Sequence, residues 1–397
     1  MKNIPSQNSI FNGKREKYIL VCGLEQTLDK IGRHYQLLGT KLGCSMIVYS
    51  RNANKSSERF ASKYGIEWHE VPEGSKLADI ALFWKLLRQY RPRHVEMYLY
   101  GAQSFFVYFG YYLTLLLTRT QFVAVCRGGE LYYLDKRGPV ANFAVWVGLM
   151  MANVVVYKQL HMPTQLDQLH ITKQKRIFFY NRVPVTTKKT TEDSGVLFLN
   201  SWRNFRRPDI VFEAAMLLAT RFPNVKFTIA GARNQYEPLD SEGKLTMQVC
   251  EAKVNAAGLT NIHLMGWVDN PGELLETYAI FTLPTTLLFL NYTLLEAMEQ
   301  GLVPIVAHAE GAEKIIDDGV DGFIVDMSAE AFANAIEKLL TDKNMLKCMS
   351  IAAKDKIRNE FDLDKGFNEL REFYRQRLRW LKEIENPWPL DKTTGHV

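Results

Sequence analysis

From Tyr18 onward short, nearly continuous apolar runs alternate with longer stretches whose apolar residues recur every three or four positions. The short runs predict buried strands over Tyr18–Cys22, Ser45–Tyr49, His94–Tyr100, Gln121–Cys126 and Val154–Tyr157, and the longer ones predict helices over Gly32–Leu42, Ala78–Gln89, Phe105–Leu117 and Val140–Met151. Two uncharged stretches, 97–118 and 138–157, are long enough to raise the question of membrane spans. Gln103 and Ser104 divide the first into a strand end and a helix, and Asn153 divides the second into a helix and a strand, so both read as buried element pairs of an α/β domain.

A second series follows the polar linker TTKKTTEDSG. It places strands at Val196–Leu199, Lys226–Ala230, Ile262–Met265, Phe281–Pro284 and Val303–Ala307, with helices at Asp209–Arg221, Gly243–Ala257, Gly272–Thr277 and Tyr292–Gln300 between them. Helices at Ala329–Leu340, Asn344–Glu360 and Lys365–Glu383 complete the chain. Such alternation predicts doubly wound parallel sheets. A chain of 397 residues is long for one core, so we divide it into domains at 1–182 and 183–364. Residues 365–397 are expected to form a crossover helix and tail that return to the first domain through Phe373, Leu378, Trp380 and Leu381.

Five scattered cysteines have no spacing suited to zinc or a redox dithiol, and the N-terminus shows no apolar core ahead of a cleavage site. Both features fit a cytoplasmic protein. Charge is uneven: residues 1–184 hold 25 Lys and Arg against 12 Asp and Glu. That half is expected to face an anion, whether a membrane surface, a lipid-linked diphosphate or nucleic acid; a solvated basic surface is the plain alternative. An aromatic-rich helix beside Lys and Arg also suits a protein resting on the inner face of a bilayer without crossing it.

Candidate chemistry lies at strand ends. The Tyr292–Gln300 helix is apolar through Leu294, Leu295, Ala297 and Met298, can be capped by Asn291 or Thr293, and carries Glu296 in its second turn. A carboxylate buried there requires either an internal partner or a ligand. Arg203, Arg206 and Arg207 crowd a helix start, where cations oppose the dipole unless an anion is bound; a solvated helix start is the other reading. Gly311 at another helix start permits close backbone approach. Gly266 and Trp267 follow a strand, and Trp267 is expected to pack rather than stack on a ligand. Arg127, Gly128, Gly129 and Glu130 follow Gln121–Cys126, and an arginine there can hold a phosphate but cannot act as a base at neutral pH.

Leu295, Glu296, Ala297 and Met298, followed by Gly301, Pro304, Val306 and Ala307, resemble the donor-binding segment of the retaining group 1 (family 4) glycosyltransferases. The segment NSWRNFRRPDIVFEAA, the stretch Tyr180–Pro184, the residues Gly32, Arg33, His34, Tyr35 and Gly43, and the run 127–130 are similar to further motifs of that family. The resemblance implies the α/β GT-B fold, two Rossmann-like doubly wound domains facing a central cleft, with the C-terminal helix crossing back. It implies transfer of a sugar, with retention, from a nucleotide-diphosphate sugar to a hydroxyl of a glycan or lipid-linked glycan, without metal or separate cofactor. Glu296 would then hold the ribose, and the helix start at Asn291 would face the diphosphate. Arg203, Arg206 and the Gly311 loop would hold the phosphates, Gly266 and Trp267 would border the base, Arg127 and Glu130 would border the reaction centre, and Gly32 and Arg33 would lie on the acceptor side.

This sequence departs from the family where Leu288 stands in place of a sugar-contacting glutamate, Arg127 in place of a histidine and Glu130 in place of an aspartate. A catalytically inactive module that binds a nucleotide sugar or a partner transferase is therefore the second reading. Nucleic acid, supported only by the basic half, is the weakest.

Overall fold

The computed structural model describes residues 17–24, 28–50, 63–72, 74–99, 105–126, 131, 138–185, 195–202, 204–233, 245–286, 288 and 291–381. Two compact units divide the chain. One comprises Met1–Tyr157, His161–Phe179 and Phe367–Val397, and the other Lys158–Leu160 and Tyr180–Gly366.

The first unit is built on a parallel sheet of seven strands: β1 (Tyr18–Leu24), β2 (Ser45–Ser50), β3 (Glu67–Glu70), β4 (His94–Tyr98), β5 (Phe122–Cys126), β6 (Val154–Tyr157) and β7 (Arg176–Phe178), in the order β3-β2-β1-β4-β5-β6-β7. Its helices are α1 (Leu28–Leu42), α2 (Lys76–Tyr90), α3 (Phe105–Leu117), α4 (Pro139–Met151) and α5 (Met162–Gln168). The central strands are mostly apolar and buried on both faces, the signature of a parallel sheet covered by crossover helices. Ser75 starts α2 by accepting from the Ala78 amide at 3.2 Å.

Three elements escape the apolar pattern. The edge strands β3 and β7 bury only part of their surface and so carry little apolar signal, and α5 is short. In addition, α1 begins at Leu28 rather than Gly32. The spacing of Tyr35, Leu38 and Leu42, all buried, extends back through Ile31. Gly32 and Arg33 therefore lie in the second turn and do not open the helix.

From Phe367 onward the chain belongs to the first unit. The last long helix, α13 (Leu363–Arg375), ends sooner than its pattern suggests. Leu378, Trp380 and Leu381 are buried, while Phe373 is half-buried and Phe367, Leu370 and Tyr374 supply the remaining buried contacts. The Tyr374 hydroxyl donates to Glu96 Oε1 at 2.9 Å, and the Trp380 ring stacks on His94 at 5.9 Å. Glu96 is 2 % exposed, so Tyr374→Phe strips a hydrogen bond from a buried carboxylate. Thermal unfolding of that variant is expected to show a loss of about 1–3 kcal/mol.

The second unit has a six-stranded parallel sheet: β8 (Val196–Leu199), β9 (Phe227–Ala232), β10 (Ile262–Gly266), β11 (Ile280–Leu283), β12 (Val303–Ala307) and β13 (Phe323–Val325), in the order β10-β9-β8-β11-β12-β13. Seven α-helices accompany it among the described residues: α6 (Pro208–Leu218), α7 (Met247–Ala256), α8 (Pro271–Leu275), α9 (Tyr292–Gln300), α10 (Ala312–Ile315), α11 (Ala329–Thr341) and α12 (Lys343–Glu360). Strand order runs outward from β8 to β10, then restarts at β11 and runs the other way. Crossovers on either side of such a reversal lie on opposite faces of the sheet, which leaves a crevice at the carboxyl ends of β8 and β11. In the first sheet the corresponding reversal falls between β1 and β4.

Candidate active site

The loops after β8 and β11 are tied together at this crevice. The Phe205 carbonyl accepts from the Thr286 amide and the Thr285 hydroxyl, both at 2.9 Å. This bond fixes the 3-10 turn Asn204–Arg206, whose last residue turns its guanidinium toward the end of β8. There Arg206 donates to Asn200 Oδ1 and, at 2.6 Å, to Ser201 Oγ. Asn200 Oδ1 also accepts from the Ser201 amide at 3.0 Å, while Asn200 Nδ2 is a buried donor with no hydrogen-bond partner among the described residues. One fixed cation and one unspent amide donor thus stand side by side at the topological switch point, an arrangement suited to an anion.

Close approach of two backbones makes this possible. Gly231, in β9, has φ +115°, and a Cβ placed on it would lie 2.0 Å from the Asn200 carbonyl oxygen. Only glycine fits. Sequence reading missed both Asn200 and Gly231; the available signals were a polar pair directly after the apolar VLFL run and a glycine inside a strand.

The other arginines behave differently. Arg207 occupies the left-handed region at φ +41° and forms an ion pair with Asp209, Nη2 to Oδ2 at 2.7 Å and Nε to Oδ1 at 3.0 Å. Asp209 is buried in the first turn of α6, so the charge of Arg207 balances an internal carboxylate, which corrects the expectation that it helps hold an external anion. Arg203 lies outside the described residues, as do Arg127 and Glu130; of Arg33 only the backbone is described.

Helix α9 spans the expected residues and stops at Gly301, which has φ +88°. Asn291 caps it, its side-chain oxygen accepting from the amides of Thr293 at 2.9 Å and Leu294 at 3.3 Å. Those two amides are therefore spent on the cap. The acid sunk in this helix is not Glu296, which is half-buried, but Glu299 at 7 % exposure. Residues 294, 295, 297 and 298 turn into the core, and position 296 falls at the margin of that buried face. Glu299 accepts from the Gln300 amide group at 3.0 Å, and its charge opposes the burial that lowers the pKa of Lys354 on α12.

Gly311 caps α10 at φ +88°, and the Ala312 amide is already bonded to the Ala309 carbonyl at 3.0 Å. Gly266 ends β10 at a register shift against Ala232. Trp267 is 66 % exposed, because it follows the end of an edge strand with a neighbour on one side only, and this corrects its expected packing role. Leu288 is 1 % exposed and buried.

Residues 193–342 match the family model described as glycosyl transferases group 1. Among curated proteins, 112 residues, 28 % of this chain, are 29 % identical to the UDP-Gal:alpha-D-GlcNAc-diphosphoundecaprenol alpha-1,3-galactosyltransferase of Escherichia coli. A further match, 24 % identical over 135 residues or 34 % of this chain, is to the lipopolysaccharide core biosynthesis glycosyltransferase LpsE of Rhizobium meliloti. These matches span 29 % and 37 % of the relatives' own lengths.

Among solved structures, the glycosyltransferase from Rickettsia africae is 16 % identical, with a TM-score of 0.69 covering 92 % of this chain and all of that one. HepE of Anabaena, solved with UDP-glucose, is 14 % identical, with a TM-score of 0.70 covering 91 % of this chain and all of that one. The two-sheet α/β fold is thus that of these glycosyltransferases, and residues 193–342 match the group 1 glycosyl transferase model.

Proposed function

We propose that this chain is a glycosyltransferase that moves a sugar from a nucleotide-diphosphate donor to a hydroxyl of a glycan or lipid-linked glycan, with retention of configuration and without a metal. The observation that carries this reading is the Arg206 guanidinium held on Asn200 Oδ1 beside Asn200 Nδ2, a donor unspent among the described residues, at the β8–β11 switch point inside the segment that matches the group 1 model. When the bond from the sugar's anomeric carbon to the diphosphate breaks, negative charge grows on the leaving oxygens. Arg206 and Asn200 Nδ2 offset it as fixed donors that need no reorganisation. The departing phosphate oxygen takes the acceptor's proton, so no side-chain base is required.

Glu296, half-buried in α9, accepts from the ribose hydroxyls; Gly311 and Gly266 bring main chain to the diphosphate and the base, and Arg127 with Glu130 borders the transferred sugar. The domain division at residues 183 and 365, acceptor binding through the first domain at Gly32 and Arg33, and contact of its basic surface with the anionic inner face of a membrane belong to the same reading. The relatives named as acting on a diphosphoundecaprenol-linked sugar and in lipopolysaccharide core synthesis support a lipid-linked acceptor class.

The test is a panel of UDP-, GDP- and ADP-linked sugars, screened by thermal shift and then by turnover with and without chelator, the product anomer being read by NMR. One donor is expected to stabilise the protein and to be transferred with its anomeric configuration kept. Glu296→Gln is expected to raise donor KM by about ten- to a hundredfold, the loss of one charged hydrogen bond. Inversion at the anomeric carbon or abolition by chelator would overturn the mechanism. Stabilisation without turnover would instead favour the inactive-module reading, to which the buried apolar Leu288 points.

A further inference from the structure

Helices α3 and α4 contain no charged residue, yet one side of the pair is open. Leu116 and Leu117 are 64 % and 61 % exposed, and Leu113, Val140, Phe143 and Met150 are exposed beside them. The expectation that these helices are buried thus holds for one side only. The pair is rigidly packed: Phe109 stacks on Phe143 at 6.1 Å, Phe143 on Trp146 at 5.7 Å, and the Tyr112 hydroxyl donates to the Ala144 carbonyl at 3.2 Å. An exposed helix ordinarily turns a polar face to water; these turn leucine, phenylalanine and methionine. At 13 residues each is about 20 Å long, short of the roughly 30 Å hydrocarbon core, and no helix of the described residues is long and apolar enough to cross a membrane.

Cations rim the same surface. Arg88, Arg91, Arg93, Arg119 and Arg379 line one recess at the carboxyl ends of α2 and α3, with no carboxylate among its lining residues. None of the five forms an ion pair among the described residues. Arg119 follows the exposed Leu117 by two positions. At the matching end of α4, Lys175 Nζ caps the carbonyls of Leu149 and Met150 at 2.8 and 3.0 Å.

We infer that the open face of α3 and α4, with its arginine rim, is a docking surface for an anionic phospholipid bilayer. The two helices lie in the plane of the interface, their leucine and aromatic side chains enter the acyl boundary, and the rim arginines meet headgroup phosphates. Self-association would cover the apolar side chains but offers the arginines no anion, since among the described residues neither the two helices nor the recess lining holds a carboxylate. The inference deepens the membrane contact of the proposed function and rests on that reading for its purpose, while its evidence is the surface itself.

Co-sedimentation of the full chain with vesicles tests it, using phosphatidylcholine alone and an equal mixture with phosphatidylglycerol. The chain is expected to pellet with the mixture and to be released by high salt. Arg119→Ala should weaken binding about fivefold, the worth of one cation near an anionic surface. Leu116→Glu with Leu117→Glu should weaken it more than tenfold at an unchanged unfolding temperature. An unbound wild type overturns the inference, as does a dimer in solution that the double variant converts to monomer. Transfer to a short soluble acceptor, measured alongside, separates the two proposals: transfer without vesicle binding removes the docking surface alone, and vesicle binding without transfer removes the reaction alone.

Discussion

Arg206→Ala is expected to lower kcat/KM for transfer by about 10²- to 10³-fold, the usual effect of deleting one preorganised donor to a developing oxyanion. Its bonds to Asn200 Oδ1 and Ser201 Oγ hold the guanidinium over the end of β8 before any ligand arrives, so its benefit is realised as charge develops. The side chain is only partly buried, and its partners can turn to water when it is removed. The unfolding midpoint should therefore fall by no more than a few degrees, corresponding to about 1 kcal/mol. Arg206→Lys keeps the charge but loses the planar fork that can offer further N–H donors to a phosphate, and should recover only part of the rate. Full activity in Arg206→Ala would show that the phosphate is held elsewhere. Arg207 supplies the contrast, because its partner is internal. Arg207→Ala strands the buried Asp209 carboxylate and should lower stability by about 1–3 kcal/mol, less than for a fully buried pair because Arg207 is partly exposed.

The second large effect is on the fold that carries this site. Gly231→Ala places a methyl group 2.0 Å from the Asn200 carbonyl oxygen at a backbone angle, φ +115°, that other L residues rarely adopt. Conformational strain of roughly 1–2 kcal/mol adds to an overpacking cost of roughly 1–3 kcal/mol, about 3 kcal/mol in all. For a unit of this size the midpoint should fall by roughly 6–12 °C. Gly258→Ala is the control: it also has positive φ, at +64°, but no atom within 4 Å of the added methyl, so strain alone remains. Because β9 presses on the segment carrying Asn200, the Gly231 variant should also bind donor more weakly, as isothermal titration would show. Equal losses in the two glycine variants would mean that the Asn200 segment yields and that the contact does not fix the site.

The order of strands and helices was legible in the sequence. Helices α3 and α9 and strands β6, β8 and β12 have the bounds their apolar spacing predicts, because periodicity and capping are local properties. The motifs around Arg206 and Glu296 resemble those of the group 1 family, whose model matches the segment that holds them. Edge strands β3 and β7 were hidden because half of each meets solvent. A string of three arginines at one helix start did not reveal that Arg206 reaches across to the end of β8 while Arg207 neutralises Asp209, since that depends on a left-handed turn and a neighbouring strand.

In the same way, two acids three positions apart on α9 look equivalent in sequence, and only packing against α12 makes Glu299 the buried one. Exposure of the α3–α4 face was undecidable from composition, because an uncharged amphiphile-free helix reads the same whether its far side meets protein, lipid or water. Local pattern fixes which segments become strands and helices. The register and order of the sheets then decide which charges face a ligand, which neutralise one another and which apolar sides stay open, because those outcomes depend on residues distant in the chain.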